Sequence, residues 1–246
     1  MSKLEAMRQG GKINRQVMGK LFAAARPGVS LKELDSLAEK LITENGGIPS
    51  FKGFNGFPAA VCVNINNTLI HGIPTNYILQ EGDLLTIDQG VYYKGFHTDH
   101  AVTQKIRNSS FVIRNYSFED DFLRAGRDAL AKAVSVAVAG NHVGDISHSI
   151  QSTIEKAGFF VVRDFVGHGV GEKLHQEPQI PCTGSPNTGP KLYEDQTLAI
   201  EVMYLSQKSP LDICQDNWTI VAKGAKLSAL FEKTIMVRRN KPIVLT

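Results

Sequence analysis

Four carboxylates and one histidine stand out in this sequence, because each sits where a charged or polar side chain is costly or close to another. Asp88 and Asp99 lie within a run that reads as a β-hairpin: Leu84-Leu85-Thr86-Ile87-Asp88, then Val91-Tyr92-Tyr93, a Lys94-Gly95 turn and a return strand through Val102. With Lys94 and Gly95 as the two turn residues, Tyr93 pairs with Phe96 and Asp88 lies opposite Ala101. Asp99 then shares a face with Asp88 as its diagonal neighbour, about 7–8 Å away between backbones. Two carboxylates converging there repel each other unless a cation lies between them. Taken alone, a pair of this spacing is more often what chance leaves on a solvated face.

The rest of the set changes the weighing. Glu201 sits inside Leu198-Ala199-Ile200-Glu201-Val202-Met203, and Glu232 inside Leu230-Phe231-Glu232-Lys233-Thr234-Ile235-Met236. A lone carboxylate in an apolar strand is costly to bury without a partner or a metal. His168 stands between Gly167 and Gly169, where the backbone can approach closely and the ring can project into a cleft. Two Asp, two Glu and one His form a hard, oxygen-rich ligand set. Four carboxylates are balanced by two divalent cations, which favours a dinuclear site.

The elements that must position these groups alternate between helix and strand. Residues 3 to 25 carry helically spaced apolar residues up to Arg26-Pro27-Gly28. Ser30 and Glu33 form a capping box for a helix with Leu34, Leu37 and Leu41, stopped by Asn45-Gly46-Gly47. A Gly/aromatic loop, Phe51 to Pro58, precedes a strand at 59–65. Helices are expected near 119–138 and 144–156, and strands near 159–166, 197–205, 217–223 and 230–238. A weak internal repeat, with His71-Gly72 and His168-Gly169 at matching places, divides the chain into halves of about 1–110 and 111–246. Two such halves facing each other would put both acidic sets in one central cleft. No linker separates them, so a single domain over 1–246 is expected.

Composition excludes several classes. The 246 residues are 42% hydrophobic and 21% charged, as in a folded globular chain. A formal charge of +3, from 27 Lys+Arg against 24 Asp+Glu, is too mild for a nucleic-acid binder. The basic cluster Arg238-Arg239-Asn240-Lys241 reads as a solvated end. No run approaches 18 apolar residues, so no membrane partner is expected. Met1-Ser2-Lys3-Leu4-Glu5 lacks the apolar run of a secretory signal. Cys62, Cys182 and Cys214 form no C-x-x-C pair, and a cytoplasmic location is expected.

These residues carry a resemblance. His71-Gly72-Ile73-Pro74, Ile87-Asp88 through Gly95-Phe96-His97-Thr98-Asp99, Gly167-His168-Gly169-Val170-Gly171 with His175-Gln176-Glu177-Pro178, Ile200-Glu201, and Phe231-Glu232-Lys233-Thr234 resemble, in order, the signature of type I methionine aminopeptidases. Arg26-Pro27-Gly28-Val29-Ser30 and the Gly53 to Pro58 segment match as well, so the resemblance spans nearly the whole chain. It implies an α+β fold, the pseudo-two-fold "pita-bread" fold of peptidase family M24, with a central antiparallel sheet and helices on its outer face. It implies that Asp99 and Glu232 bridge two metals, that His168 and Glu201 complete one ion, and that Asp88 chelates the other. Co, Mn, Fe, Zn and Ni all suit such a site. His71 and His175 match histidines that contact substrate without ligating metal, and Glu201 is the candidate proton shuttle; the division of acid and base work among these three stays open. Phe54, Phe57, Cys62, Leu174 and Trp218 match the methionine pocket, Cys62 reading equally as a small buried hydrophobe. His97 shares the face of Asp99 but lies outside the matched ligand set.

The implied reaction is removal of methionine from nascent polypeptides whose second residue is Gly, Ala, Ser, Thr, Cys, Pro or Val. The implied state is a monomer, and association with the ribosome is left open. The sequence departs from the pattern at Gly90 and His100 (usually Thr), Lys233 (usually His), Leu174 (usually Phe), and Phe54 and Phe57 (usually Tyr). Two alternatives are a proline-specific peptidase of the same fold and a metal-free binding module on it. The first usually carries an extra N-terminal domain, whereas the signature helix begins here at residue 3. The second is expected to lose ligands, and all five are present.

Overall fold

Caps and helical periodicity set the outer layer. In a computed structural model, which describes residues 1–107 and 117–246, α1 (Lys3–Ala24) and α2 (Leu31–Glu44) each open with a serine capping box, Ser2 with Glu5 and Ser30 with Glu33. Such a cap contributes about 1 kcal/mol by satisfying N–H groups that the helix leaves orphaned. The apolar stripes Ile13, Val17, Leu21 and Leu34, Ala38, Leu41 bury against Val63, Leu85 and Ile87. α3 (Phe118–Val136) and α4 (Val143–Lys156) cover a second core, where Phe122, Ala129, Ile146 and Ile150 join Ile200, Val202 and Phe231. All four expected helices are present, with ends shifted by at most two residues.

The strands form three antiparallel sheets among the described residues. The first joins β1 (Ile48–Pro49), β2 (Cys62–Ile65), β4 (Leu84–Tyr93) and β5 (Phe96–Lys105), with β1 and β2 pairing one side of β4 and β5 the other. A small sheet joins β3 (Thr68–Ile70), β10 (Leu211–Ile213) and β11 (Ile220–Ala222). The third contains β6 (Phe160–Val161), β7 (Val166–Gly169), β8 (Gln176–Pro181), β9 (Thr197–Leu205), β12 (Ser228–Met236) and β13 (Ile243–Val244). Its order is β13-β12-β9-β7-β8, with β6 also on β9.

Hydroxyl side chains join the first sheet to the third. Thr103 Oγ1 donates to Leu230 O at 2.9 Å and accepts from Leu230 N–H at 3.1 Å. Thr234 Oγ1 donates to Asp99 O and accepts from Asp99 N–H, both at 2.8 Å. These four bonds register β5 against β12 without a backbone ladder.

Some expected strands need correction. The strand at 59–65 begins only at Cys62, because the N–H groups of Ala60 and Val61 donate to the Asp35 side chain of α2 instead of a ladder. The strand at 159–166 is broken between β6 and β7 by Arg163 and Asp164, charged residues that lie exposed. The strands at 217–223 and 230–238 shrink to Ile220–Ala222 and shift to Ser228–Met236. The boundary between the expected halves, near 110, lies outside the described residues. The basic cluster is solvated and paired: Arg239 Nε meets Glu194 at 3.0 Å, and Arg238 meets Asp195. Among the described residues, no helix is long and apolar enough to cross a membrane.

Candidate metal centre and its aromatic pocket

Two pairs of strands aim the acidic residues at one point. In the β4–β5 hairpin Tyr93 pairs with Phe96 and Asp88 with Ala101. The turn is closed by Lys94 (φ 48°) and Gly95 (φ 95°), both left-handed as the tight I′ turn demands. Asp99 is therefore diagonal to Asp88 on one face. In the third sheet Glu201 and Glu232 stand directly opposite each other, and His168 pairs with Ala199, diagonal to Glu201. Like charges directly opposite on a sheet destabilise it unless something positive intervenes. The Gly-His-Gly sequence is explained by crowding: a Cβ on Gly169 would stand 2.2 Å from Glu177 O, and one on Gly167 2.6 Å from Ala199 O.

The electrostatics are those of a site built for cations. Asp88, Asp99 and Glu232 are buried. Among the described residues, Asp88 Oδ1 and Glu232 Oε1 also have no hydrogen-bond partner, which a buried carboxylate tolerates poorly. Burial first, and neighbouring carboxylates second, hold Asp88, Glu201 and Glu232 well above the usual carboxylate range. Burial pushes Asp99 up to about 7. Burial and the nearby His175 bring His168 down to about 4, which keeps the ring neutral. Its Nδ1–H donates to Gly169 O at 2.8 Å, leaving the Nε2 lone pair 3.7 Å from Glu201 Oε1. Fixing one ring nitrogen in this way is what orients a histidine ligand.

Among the described residues, three groups of candidate donor atoms each lie within 4.8 Å of one another: Asp88, Asp99 and Glu232; His168, Glu201 and Glu232; and Asp99, His168 and His175. Glu232 is common to the first two. The donors are oxygen-rich with one or two imidazoles, so the residues fit divalent first-row cations.

Beside them lies a cavity of about 200 Å³ that every expected site residue lines: the five above, His71, His175, Phe54, Phe57, Cys62, Leu174 and Trp218. Aromatic rings meet edge-on around it. Phe57 is 5.2 Å from Trp218, Phe54 is 5.1 Å from His175, and His175 is 4.3 Å from His168. His71 holds a left-handed backbone (φ 56°), uncommon for a non-glycine residue, and stands 6.3 Å from Trp218. Burial lowers the pKa of His71 and, at the cavity mouth, partial loss of hydration lowers that of His175. Burial pushes the Cys62 thiol up. A second cavity of about 600 Å³ shares His71, His168, His175 and Glu201 and runs on past Phe165, Lys173 and Glu177.

Sequence reading leaves out Phe51, Asn55 and Ile70, which also line the first cavity. Phe51 belongs to the same aromatic loop as Phe54 and Phe57, and that signal was available. Ile70 carries only ordinary strand apolarity. Phe51 also accounts for Gly90, where a Cβ would meet Ser50 Cβ at 2.6 Å and Phe51 at 2.8 Å. His97 stands outside this lining, with Nδ1 2.9 Å from Ser50 Oγ and its ring 4.7 Å from that of Tyr92.

Comparison with known proteins agrees with this geometry. Residues 5–239 match the model of metallopeptidase family M24. A methionine aminopeptidase of Clostridium perfringens is 42% identical over 246 residues, covering 100% of this chain and 96% of its own. The crystal structure of a methionine aminopeptidase from Thermotoga maritima superposes with a TM-score of 0.94 at 34% identity, covering 99% of this chain and 96% of that one. An X-Pro aminopeptidase from Thermotoga maritima shares the pita-bread fold, with a TM-score of 0.74 at 19% identity; it aligns with 99% of this chain, which spans 60% of its length. The chain belongs to metallopeptidase family M24 and, within it, to the methionine aminopeptidases.

Proposed function

We propose that the protein removes methionine from the N-termini of nascent chains with a small second residue, using two divalent cations held by Asp88, Asp99, His168, Glu201 and Glu232. The observation that carries this reading is the sharing of Glu232 between two ligand triads, one adding the buried Asp88 and Asp99 and the other the half-buried Glu201 with His168. Asp99 and Glu232 would serve both ions, with His168 and Glu201 holding one and Asp88 the other. The charges of four carboxylates and two divalent cations cancel.

When bound, the ions supply Lewis acidity toward the substrate carbonyl and a water acidic enough to be the nucleophile near pH 7. Glu201, whose carboxylate lies 3.7 Å from His168 Nε2 on the cavity wall, would hold an ion and carry a proton between the attacking water and the leaving amine. His175, at the mouth of both cavities, donates a hydrogen bond to the carbonyl oxygen as charge develops there. A donor of this kind is worth about 2.7–4 kcal/mol. His71, held by its unusual backbone between the two cavities, positions the scissile amide. The cavity walled by Phe51, Phe54, Phe57 and Trp218 takes the methionine side chain, whose sulfur gains about 0.3–1.5 kcal/mol against aromatic edges. The second cavity leaves room for the rest of the chain.

The proline-specific reading shares only the fold, and the metal-free reading is opposed by the convergence of all five donors. Hydrolysis of Met-Ala-Ser and of an Ala-Pro peptide, each with added Mn, separates the three. Free methionine from the first and nothing from the second is expected. Cleavage of the Ala-Pro peptide alone, or of neither, would overturn the proposal.

A further inference from the structure

The aromatic wall of the methionine pocket is a loop with little regular structure of its own. Its internal bonds are turn-like, such as Gly53 N–H to Phe57 O at 2.8 Å and Phe54 N–H to Phe51 O at 2.9 Å. Its entry is tied to β4 and β5 by Ser50, whose N–H donates to Gly90 O at 2.9 Å and whose Oγ meets His97, and its exit is fastened by α2. Asp35 Oδ1 accepts from Ala60 N–H at 2.8 Å and from Val61 N–H at 3.2 Å. One turn further along, Glu39 holds Lys52 Nζ at 2.6 and 2.7 Å. The Lys52–Glu39 pair is exposed and adds little. Ala60 and Val61 are wholly buried, so water cannot replace the carboxylate on their N–H groups.

We infer that Asp35 is a positioning residue for methionine recognition, its carboxylate fixing the chain that enters β2 so that Phe57 and Cys62 meet Trp218 and Leu174. The inference rests on the reading of the pocket given above. Asp35 does not line the cavity and acts only through residues 57–62. Without it the loop samples other positions, and substrate binds only the fraction with the wall in place, weakening apparent affinity in proportion. Ground state and transition state lose the same binding, so KM moves while kcat holds.

The chain has one tryptophan, Trp218, packed edge-on against Phe57, so its fluorescence reports the wall without turnover. Asp35→Ala should raise KM for Met-Ala-Ser about tenfold if the competent fraction falls to about a tenth. The kcat should stay within about twofold of wild type. Leu-Ala-Ser should lose apparent affinity in the same proportion as Met-Ala-Ser, and acrylamide should quench Trp218 more strongly. Asp35→Asn keeps a carbonyl oxygen for the two N–H groups and should restore most of both properties. Mn affinity by calorimetry should be unchanged in both variants. Wild-type KM and wild-type quenching in Asp35→Ala would overturn the inference, as would equal damage from Asp35→Asn. Should the alanine variant not fold, Asp35→Asn decides in urea: quenching of Trp218 should rise where far-UV circular dichroism is still native, and coincident transitions would overturn it. Because quenching needs no catalysis, a wild-type protein inactive on Met-Ala-Ser would sink the proposed function and leave this test intact.

Discussion

Lys233 Nζ lies 3.0 Å from His100 Nε2, so the residues that follow Glu232 and Asp99 in sequence touch each other behind them. Strand alternation turns the two carboxylates toward the cleft and this pair toward the reverse face. Two positions at which the sequence departs from the family pattern are thus one contact across the seam between β5 and β12. Burial holds His100 well below its ordinary value and brings Lys233 down to about 8, so a neutral imidazole accepts from an ammonium. His100→Ala and Lys233→Met should each cost about 1–3 kcal/mol in urea unfolding, because the first leaves the half-buried ammonium of Lys233 unpaired and the second the buried His100 ring. The double variant should cost less than the sum, with a coupling of about 1 kcal/mol. Strict additivity would show that the contact carries no energy.

Asp99 and Glu232, the two carboxylates proposed to serve both ions, should be indispensable. Asp99→Asn or Glu232→Gln replaces an anion placed to serve two cations with a neutral amide. A loss of several kcal/mol of charge stabilisation corresponds to a fall in kcat/KM of about a thousandfold or more. The metal-free variants should melt no lower than the metal-free parent, since one source of carboxylate repulsion is gone. Near-normal turnover with metal supplied would sink the dinuclear assignment.

Metal-free protein should lose stability as pH rises above about 6.5, the ordinary histidine value. Above that point the cleft histidines His71, His168 and His175, whose values are lowered by burial, are neutral whether folded or unfolded. Asp99, up at about 7, and the other three carboxyls, raised in the same direction, keep protons in the folded state that the unfolded chain has released. The folded state then binds more protons, so stability falls with pH through this window. Between about 4 and 6.5 the depressed histidines act with the opposite sign and flatten the curve. Melting temperatures of the apo-protein at pH 6.5 and 8 check this, and Mn or Co added at pH 7 should release protons and raise the melting temperature. Absence of both effects would contradict the cluster.

Selectivity at the first residue should be graded and at the second residue steep. Apolar pockets discriminate by about 1–3 kcal/mol per methylene, so Leu-Ala-Ser should be cleaved slowly, not refused. Leu174→Phe adds an aromatic wall and should widen the preference for methionine. Met-Lys-Ser should resist cleavage; comparable rates for Met-Lys-Ser and Met-Ala-Ser would overturn the specificity claim.

The parts of this site that sequence reading reaches are the local ones. The diagonal of Asp88 and Asp99 follows from a two-residue turn and strict alternation, both written within twenty-odd residues. The direct opposition of Glu201 and Glu232 does not, because pairing β9 with β12 brings together residues far apart in the chain, and either strand alone permits several registers. β8 carries Pro178, Pro181 and polar residues where a strand pattern would need alternating apolar ones, so nothing in its sequence announces it. The Lys233–His100 contact and the grip of Asp35 on Ala60 and Val61 depend on how whole elements pack, and no period or motif announces them.

The central claim is tested most directly by titrating metal-free protein with Mn while reading bound ions per chain and free methionine released from Met-Ala-Ser in the same samples. The account predicts no methionine without metal and binding that saturates at two ions per chain. Methionine released at full rate by metal-stripped protein, or saturation at a single ion, would contradict it.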